Sequence, residues 1–183
     1  MKSAAWRWPR LVMMLLLVPL AARAADVPVH VQMPLFANIL KLDRTFKPSG
    51  AVVTIAVLFQ DRNAASSAAR EEVFKWTQKT GSARAFGVAM DSATWKEVLT
   101  TAEADVYYVT PMRGIDIGQI AAIARKRQIR TMAALPEYVG QGLNVAIGVR
   151  NDRPLIIINL AAARAEGATY QAQLLKLAEI VNR

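Results

Sequence analysis

The sequence contains no cysteine and only one histidine, His30, in 183 residues. The lack of cysteine excludes disulfides, thiolate zinc sites, iron–sulfur clusters and thiol catalysis. A single histidine excludes metal sites built from several histidines and leaves a Ser-His-Asp triad with one base. His30 has no evident nucleophile or orienting residue beside it in the sequence, so we interpret it as a solvated side chain. These absences favour a binding or regulatory domain over an enzyme.

Glycine-rich phosphate loops are also missing. The turn after the first expected strand runs from Gln60 to Asn63 without a glycine, whereas the dinucleotide fingerprint needs glycines there to let phosphate approach the backbone. Gly140 and Gly142 lead into a strand rather than a helix, which is typical of a flexible turn. We therefore expect neither a nucleotide nor any other cofactor.

The amino terminus has the three parts of a secretory signal peptide. Lys2, Arg7 and Arg10 precede an apolar run at residues 11–22, and Ala22-Arg23-Ala24 supplies the small residues that a signal peptidase reads. We expect a signal peptide at 1–24, cleavage after Ala24 and a periplasmic protein. The alternative is an uncleaved anchor, but a membrane span needs about 20 apolar residues. Several of the charges behind the formal net charge of +9 belong to this leader.

The remaining pattern predicts one domain. Residues 25–32 show no apolar periodicity and are predicted to form a flexible arm, followed by a single α/β domain at 33–183. Helical spacing predicts a helix at 33–46 and a last helix at 171–181, and β-branched runs between them alternate with further helices. The short connections predict a three-layer, Rossmann-like α/β fold with a mainly parallel sheet, a C-terminal hairpin and terminal helices.

Three acidic residues, Asp61, Asp91 and Asp116, each follow an expected strand. Open α/β sheets place ligand contacts at such ends, but helix capping and turn formation explain aspartates there equally well. Trp76, Tyr107 and Tyr108 fall on expected helix or strand faces and are interpreted as core residues.

The densest basic cluster consists of Arg125, Lys126, Arg127 and Arg130. It ends a predicted helix, where cations interact favourably with the macrodipole, so a solvated helix end explains it. The alternative is a contact with an acidic partner surface or an anionic lipid. Nucleic acid is not expected, because export separates the protein from it and no aromatic residues alternate with the charges.

The carboxyl-terminal third carries a recognisable order of elements. A turn with Gly140 and Gly142 precedes two strands, the second ending at Asn159, then an alanine-rich helix and the run Leu174-Leu175-Lys176-Leu177-Ala178. This order resembles the YfiR family of periplasmic proteins, and the upstream helix and strand agree with it over about residues 33–181. The sequence departs from the family pattern at Phe46-Lys47-Pro48, where an aromatic-Pro pair is common, and in lacking the cysteines that many members carry.

The resemblance implies an inhibitory regulator. The best-known relative binds the periplasmic sensor domain of an inner-membrane diguanylate cyclase, limits cyclic-di-GMP and biofilm formation, and is relieved by envelope signals or an outer-membrane lipoprotein. Thiol-based redox control does not carry over to a chain without cysteine. The sequence leaves a homodimer as an alternative to a monomer.

Two alternatives remain from the sequence. A small-ligand-binding module could use the crevice at the carboxyl ends of the parallel strands. An enzyme of unrecognised type would have to rely on Asp61, Asp91 or Asp116.

Overall fold

The computed structural model describes residues 27–182. The predicted signal peptide and its cleavage site lie outside the described residues. Within residues 27–182, no helix combines the length and the apolar character that a membrane crossing requires.

Seven strands form one sheet in the order β2-β1-β3-β4-β5-β6-β7. The strands are β1 (Val53–Phe59), β2 (Ala83–Ala89), β3 (Val106–Val109), β4 (Arg130–Ala133), β5 (Val145–Arg150), β6 (Arg153–Asn159) and β7 (Glu179–Val181). The helices are α1 (Val29–Lys41), α2 (Ala64–Thr80), α3 (Trp95–Thr101), α4 (Ile117–Arg127), α5 (Glu137–Gly140), α6 (Leu160–Ala165) and α7 (Ala172–Leu177). All neighbouring strands are parallel except β5 and β6. The predicted mainly parallel α/β sheet is confirmed.

Strand periodicity divides the core into two layers, one on each face of the sheet. Ile55, Val57 and Tyr108 belong to one buried cluster with α1 and α2, whereas the intervening Ala56 and Leu58 belong to another with α3 and α4. Because successive strand side chains point to opposite faces, a strand covered on both sides is apolar throughout. This explains the nearly continuous apolar run of β1, which is interrupted by Thr54.

The predicted hairpin joins β5 to β6. Asn151 and Asp152 both have positive φ, 51° and 57°, as a type I′ turn requires, and asparagine and aspartate tolerate that conformation. The hairpin does not end the sheet, however, because β7 pairs with β6 as the outermost strand.

Several helix ends are capped by polar side chains or by glycine. Asn63 accepts hydrogen bonds from the backbone of Ala65 and Ser66, and Asn159 accepts one from Ala162. Gly81 ends α2 with φ 63°, a left-handed conformation that glycine adopts without a steric penalty. Asp116 caps α4 through Gly118 N, so its position after β3 has a structural explanation.

The arm predicted at 25–32 is wrong for residues 29–32, because α1 begins at Val29. Val29, Met33, Phe36 and Leu40 form a stripe of buried side chains at helical spacing. Packing of this stripe against the sheet stabilises the earlier start, and the helix ends at Lys41 rather than continuing to residue 46.

The last predicted helix, residues 171–181, is also wrong in its second half. Helix α7 ends at Leu177, and Glu179–Val181 instead pairs with β6. Leu177, the last residue of α7, is 73% exposed. The β-branched Ile180 and Val181 suit a strand, and the free edge of β6 offers backbone partners that a helix would leave unused.

Candidate functional site: an apolar cavity beneath the first helix

The crevice expected at the carboxyl ends of the strands is closed by the protein's own polar groups. It lies between β1 and β3, where the strand order reverses. The Gln60 side chain donates to Arg113 O (2.9 Å) and accepts from Arg113 N (2.7 Å). Asn63 Nδ2 donates to Pro111 O at 3.1 Å. These bonds link the two loops that would otherwise contact a ligand.

The other acidic candidates at this end have structural partners. Asp61 is exposed and lies 3.7 Å from Arg70 Nη1, and Asp91 accepts a long 3.5 Å bond from Arg62 N. His30 lies on the exposed face of α1, with its Nδ1 3.9 Å from Glu72 Oε2. The sequence did not indicate this partner. In residues 27–182, no group of three or more acidic or histidine side chains is placed to hold a metal ion.

A cavity of about 330 Å³ lies at the opposite end of the sheet. It sits beneath α1, beside the amino ends of β1, β2 and β3. Its lining is apolar apart from Lys41, Asp43 and Ser82, and consists otherwise of Met33, Phe36, Ala37, Leu40, Phe46, Pro48, Val53, Ile55, Trp76, Ala83, Val106 and Met132. A cavity of this size with few polar groups is typical of small-molecule sites. Trp76, interpreted as core from the sequence, lines this cavity and is only half-buried, whereas Tyr107 and Tyr108 are fully buried.

Helix α1 is held over the cavity at its amino end by Gln32. This side chain is buried and donates from Nε2 to Val27 O (2.6 Å) and to Ala134 O (3.1 Å). Its Oε1 accepts from the Tyr108 hydroxyl at 3.0 Å. All of these bonds are removed from water, which makes the loss of any partner costly.

Beyond its carboxyl end, α1 is held by a buried ion pair. Arg130 Nε donates to Asp43 Oδ2 at 2.9 Å, and the Asp43 side chain has no exposed surface. Arg130 also donates to the carbonyls of Glu166 (2.6 Å) and Gly167 (2.9 Å). Burial alone would raise the pKa of Asp43. Hydrogen bonds from Thr169 N, Thr45 and Arg130 outweigh it and hold this pKa below its ordinary value.

A second buried carboxyl, Glu166, adjoins this pair. It accepts from Thr131 N (2.9 Å), Thr131 Oγ1 (2.6 Å) and Asn144 Nδ2 (2.9 Å). Burial raises the pKa of Glu166 to about 7, against the lowering effect of these bonds and of the Arg130 charge. Tyr170 donates to Asn144 Oδ1 at 2.9 Å. The cluster joins the chain after α1, the starts of β4 and β5, and the segment between α6 and α7.

The four residues of the predicted basic cluster, 125–127 and 130, do not form one exposed surface. Arg130 is buried in the ion pair, and Arg127 Nη1 donates to the carbonyls of Leu99 (2.6 Å) and Ala102 (2.7 Å). Arg125 is exposed and donates to Gly142 O at 3.0 Å. Among the described residues, Lys126 makes no hydrogen bond or ion pair and points its charge to solvent.

The residues that carry the family resemblance have packing roles. Gly142 has φ 108°, and a Cβ there would lie 2.7 Å from Arg125 Nη2, so this turn needs glycine. Gly140 has open space around it. Asn159 Nδ2 donates to Val139 O at 2.9 Å in addition to capping α6. Leu174 is buried and Leu175 half-buried.

Sequence reasoning missed Gln32, Asp43 and Glu166. Gln32 fell in the predicted arm. Asp43 and Glu166 lie at helix–loop transitions, where no periodicity marks a polar side chain as buried. Their partners are far away in the chain: Asp43 and Arg130 are 87 positions apart.

A family model described as YfiR/HmsC-like matches residues 36–179. No curated protein matches the chain.

Solved structures provide a comparison of fold. The chain is similar to the ABC domain in complex with L-Trp from Streptococcus pneumonia, with 15% identity and a TM-score of 0.63 over 84% of this chain and 62% of that one. It is similar to CD0873, a substrate binding protein with adhesive properties from Clostridium difficile, with 16% identity and a TM-score of 0.67 over 85% and 60%. It is also similar to a conserved domain protein from Vibrio cholerae, with 17% identity and a TM-score of 0.60 over 84% and 60%.

At these identities the likeness concerns the fold alone. The chain spans 60–62% of the length of these structural neighbours.

Proposed function

The chain belongs to the YfiR/HmsC-like family, and from this we propose that it is a periplasmic regulatory protein that inhibits a membrane-anchored diguanylate cyclase. It binds the periplasmic sensor domain of the cyclase, holds the enzyme inactive and lowers cyclic-di-GMP. The supporting observation is the match of the family model to residues 36–179, which is most of the described domain. The family as a whole supports a regulator of diguanylate cyclases that acts in the periplasm.

Inhibition of this kind requires only a difference in affinity. A regulator that binds the inactive conformation of its partner more tightly shifts the partner toward that conformation, and the shift is limited by the ratio of the two affinities. An outer-membrane lipoprotein that competes for the regulator would relieve the block by the same linkage. No catalytic role is assigned to Asp61, Asp91 or Asp116.

Deleting the gene is expected to raise cellular cyclic-di-GMP and surface adhesion, because the cyclase loses its inhibitor. Mass-spectrometric measurement of the nucleotide in deleted and complemented strains checks this. The same deletion in a strain that also lacks the partner cyclase should change nothing. Unchanged cyclic-di-GMP after the first deletion, across growth conditions, would contradict the proposed function.

Two members of the basic cluster remain candidates for partner contact. Arg125 and Lys126 are exposed, whereas Arg127 and Arg130 bind within the protein. We therefore confine the proposed contact to Arg125 and Lys126. Lys126→Glu should complement the deletion poorly if the cyclase presents an acidic surface, whereas Lys176→Glu, also in the last turn of a helix, should complement fully. Equal complementation by both variants would remove the basic cluster from the interface.

The cavity beneath α1 favours a second function, binding of a small apolar molecule. Its size and lining suit an aromatic or branched apolar ligand, and Lys41 and Ser82 offer polar contacts at its edge. One structural neighbour is described in complex with L-Trp, which supports including aromatic amino acids among the compounds tested. Such a ligand would stabilise the folded protein by an amount that grows with the logarithm of its concentration relative to Kd.

Filling the cavity is expected to abolish ligand binding without unfolding the domain. Ala37 lies on the cavity wall, so Ala37→Phe places an aromatic ring in the ligand's space. Asn38→Phe adds the same ring to the exposed face of α1 and serves as the control. Thermal-shift titrations with L-Trp, indole and short fatty acids should stabilise the wild type and Asn38→Phe but not Ala37→Phe. At a ligand concentration of 100 times Kd, bound ligand raises the free energy of unfolding by about 2.7 kcal/mol. A shift that persists in Ala37→Phe would place the ligand elsewhere, and no shift in any protein would reject this second function.

A further inference from the structure

The cavity beneath α1 has a buried apolar interior and an exposed rim. Met33 and Met132 belong to the interior, and each is only 2% exposed. Three lining residues are exposed: Lys41 at the end of α1, Pro48 in the loop before β1, and Ser82 just before β2. These three residues form the rim of the cavity. A ligand that fills the interior therefore has one end at the rim, in contact with water.

Lysines surround the rim. Lys41 is itself a rim residue. Lys47 immediately precedes the rim residue of the loop, and Lys79 lies in the last turn of α2, before the turn that holds Ser82. All three lysines are exposed. Within residues 27–182, none of them forms an ion pair, so their charges are available to a ligand.

The acidic groups that line the cavity and the pocket beside it are balanced by arginines. Asp43 lines the cavity and forms the buried ion pair with Arg130. Phe46 separates the cavity from a polar pocket of about 210 Å³, which is lined by Asp105 and also by Arg127. The carboxyl ends of α1 and α2 add about half a negative charge each. The three lysines exceed this charge and leave the rim positive.

We propose that the cavity binds an amphiphilic anion, with its apolar group in the interior and its carboxylate or phosphate among the lysines of the rim. This inference rests on the second proposed function, ligand binding in the cavity, and specifies the class of ligand. An ionised group in the apolar interior would incur a large desolvation cost. The same group at the rim keeps its contact with water and gains the attraction of the lysines.

The charge of the head group should therefore decide between ligands that share one apolar group. An alcohol gains the burial of its chain but no attraction to the lysines, and a protonated amine is repelled by them. Ion pairs at an exposed rim are weak, and each raises affinity by a factor of up to about five. An alcohol also enters an apolar cavity more readily than an ion does. Tighter binding of the anion can then come only from its head group.

Titration calorimetry with a matched series measures this preference. Octanoate, octyl phosphate, octanol and octylamine share one chain and differ in the charge of the head group at pH 7. We expect the two anions to bind at least about fivefold more tightly than octanol, and octylamine to bind more weakly than octanol. The tighter of the two anions identifies the head group as a carboxylate or a phosphate. The preference should shrink at about 1 M salt, where the screening length is about 3 Å.

Removing two lysines tests the position of the head group. Lys41→Gln combined with Lys47→Gln should weaken octanoate binding by about fivefold and leave octanol binding unchanged. Lys96 is an exposed lysine in the first turn of α3, which follows the carboxyl end of β2 at the other end of the sheet. Lys96→Gln should leave both affinities unchanged. Binding of octanol to each variant shows that the cavity is intact.

The possible results separate this inference from the function on which it rests. Equal affinities for octanoate and octanol would overturn the anion preference and leave ligand binding in the cavity standing. A preference that persists in the variant lacking both lysines would place the head group away from the rim and overturn the inference as well. If none of the four compounds binds, the second proposed function fails and this inference fails with it.

Discussion

Replacing Asp43 with alanine is expected to lower the free energy of unfolding by about 3–5 kcal/mol, the cost of removing one partner of a buried ion pair. The Asp43 side chain is fully buried and the Arg130 side chain is 9% exposed, so water cannot take the place of the lost carboxylate. Four other groups lose an acceptor or an anchoring charge at the same time: Thr45 N, Thr45 Oγ1, Thr169 N and Arg130. Urea denaturation at pH 7 measures the loss.

An exposed pair provides the control. Asp61 is 3.7 Å from Arg70 and its side chain is 63% exposed, so Asp61→Ala should cost no more than about 1 kcal/mol. Asp43→Ala combined with Arg130→Met should be more stable than Asp43→Ala alone, because the uncompensated buried charge is gone. If Asp43→Ala is as mild as Asp61→Ala, the ion pair does not hold α1 to the sheet.

The stability of the domain is expected to fall as the pH rises from about 4.5 to about 7, because of Glu166. Burial raises the pKa of this carboxyl to about 7 from an ordinary value of 4.5. Below pH 4.5 the folded and unfolded chains both hold the proton, and this contribution to stability is complete. Between the two values the unfolded chain releases a proton that the folded chain keeps, so folding becomes less favourable with every increase in pH. Above about pH 7 the contribution is lost.

The rise in the pKa of Glu166 from 4.5 to about 7 corresponds to a loss of roughly 3 kcal/mol of folding stability across this pH range, at 1.36 kcal/mol per pKa unit. The lowered pKa of Asp43 makes stability rise with pH, which is the opposite effect. Asp43 titrates below its ordinary pKa of 3.8, however, and so does not contribute in the pH range where Glu166 acts. Either protonation state finds partners: the Thr131 hydroxyl donates to the carboxylate and can accept from the carboxylic acid.

Glu166→Gln should flatten the pH profile, because the amide cannot titrate. Glu97→Gln, on the exposed surface of α3, should retain the wild-type profile. Chemical denaturation at several pH values between 5 and 8 compares the three proteins. A wild type whose stability rises over this range, or a Glu166→Gln protein that keeps the full wild-type slope, would show that Glu166 is ionised in the folded state throughout.

The sequence predicts the centre of the sheet better than its ends. The β-branched residues of β1 are a local signal, and the strand that they predict is confirmed. The start of α1 and the end of α7 depend on distant partners. Val29 is helical because a sheet lies beneath it. Ile180 adopts an extended conformation because it pairs with the free edge of β6.

The position of the candidate site also depends on residues that are distant in the sequence. The sequence places ligand contacts at the carboxyl ends of the strands, which is the general position for open α/β sheets. In this protein Gln60 and Arg113 close that end, and the cavity forms at the other end beneath α1. Gln60 and Arg113 are 53 positions apart, so no local pattern in the sequence predicts their hydrogen bonds.

The bond from Thr169 N to Asp43 joins residues 126 positions apart, and this spacing bears on the order of events during synthesis. A chain is made from its amino terminus, so α1 emerges long before the segment that anchors it. The bond that anchors the chain after α1 can form only when most of the chain has been added. A newly made chain therefore completes the network around Asp43 late in its synthesis, after the strands that α1 covers have been made.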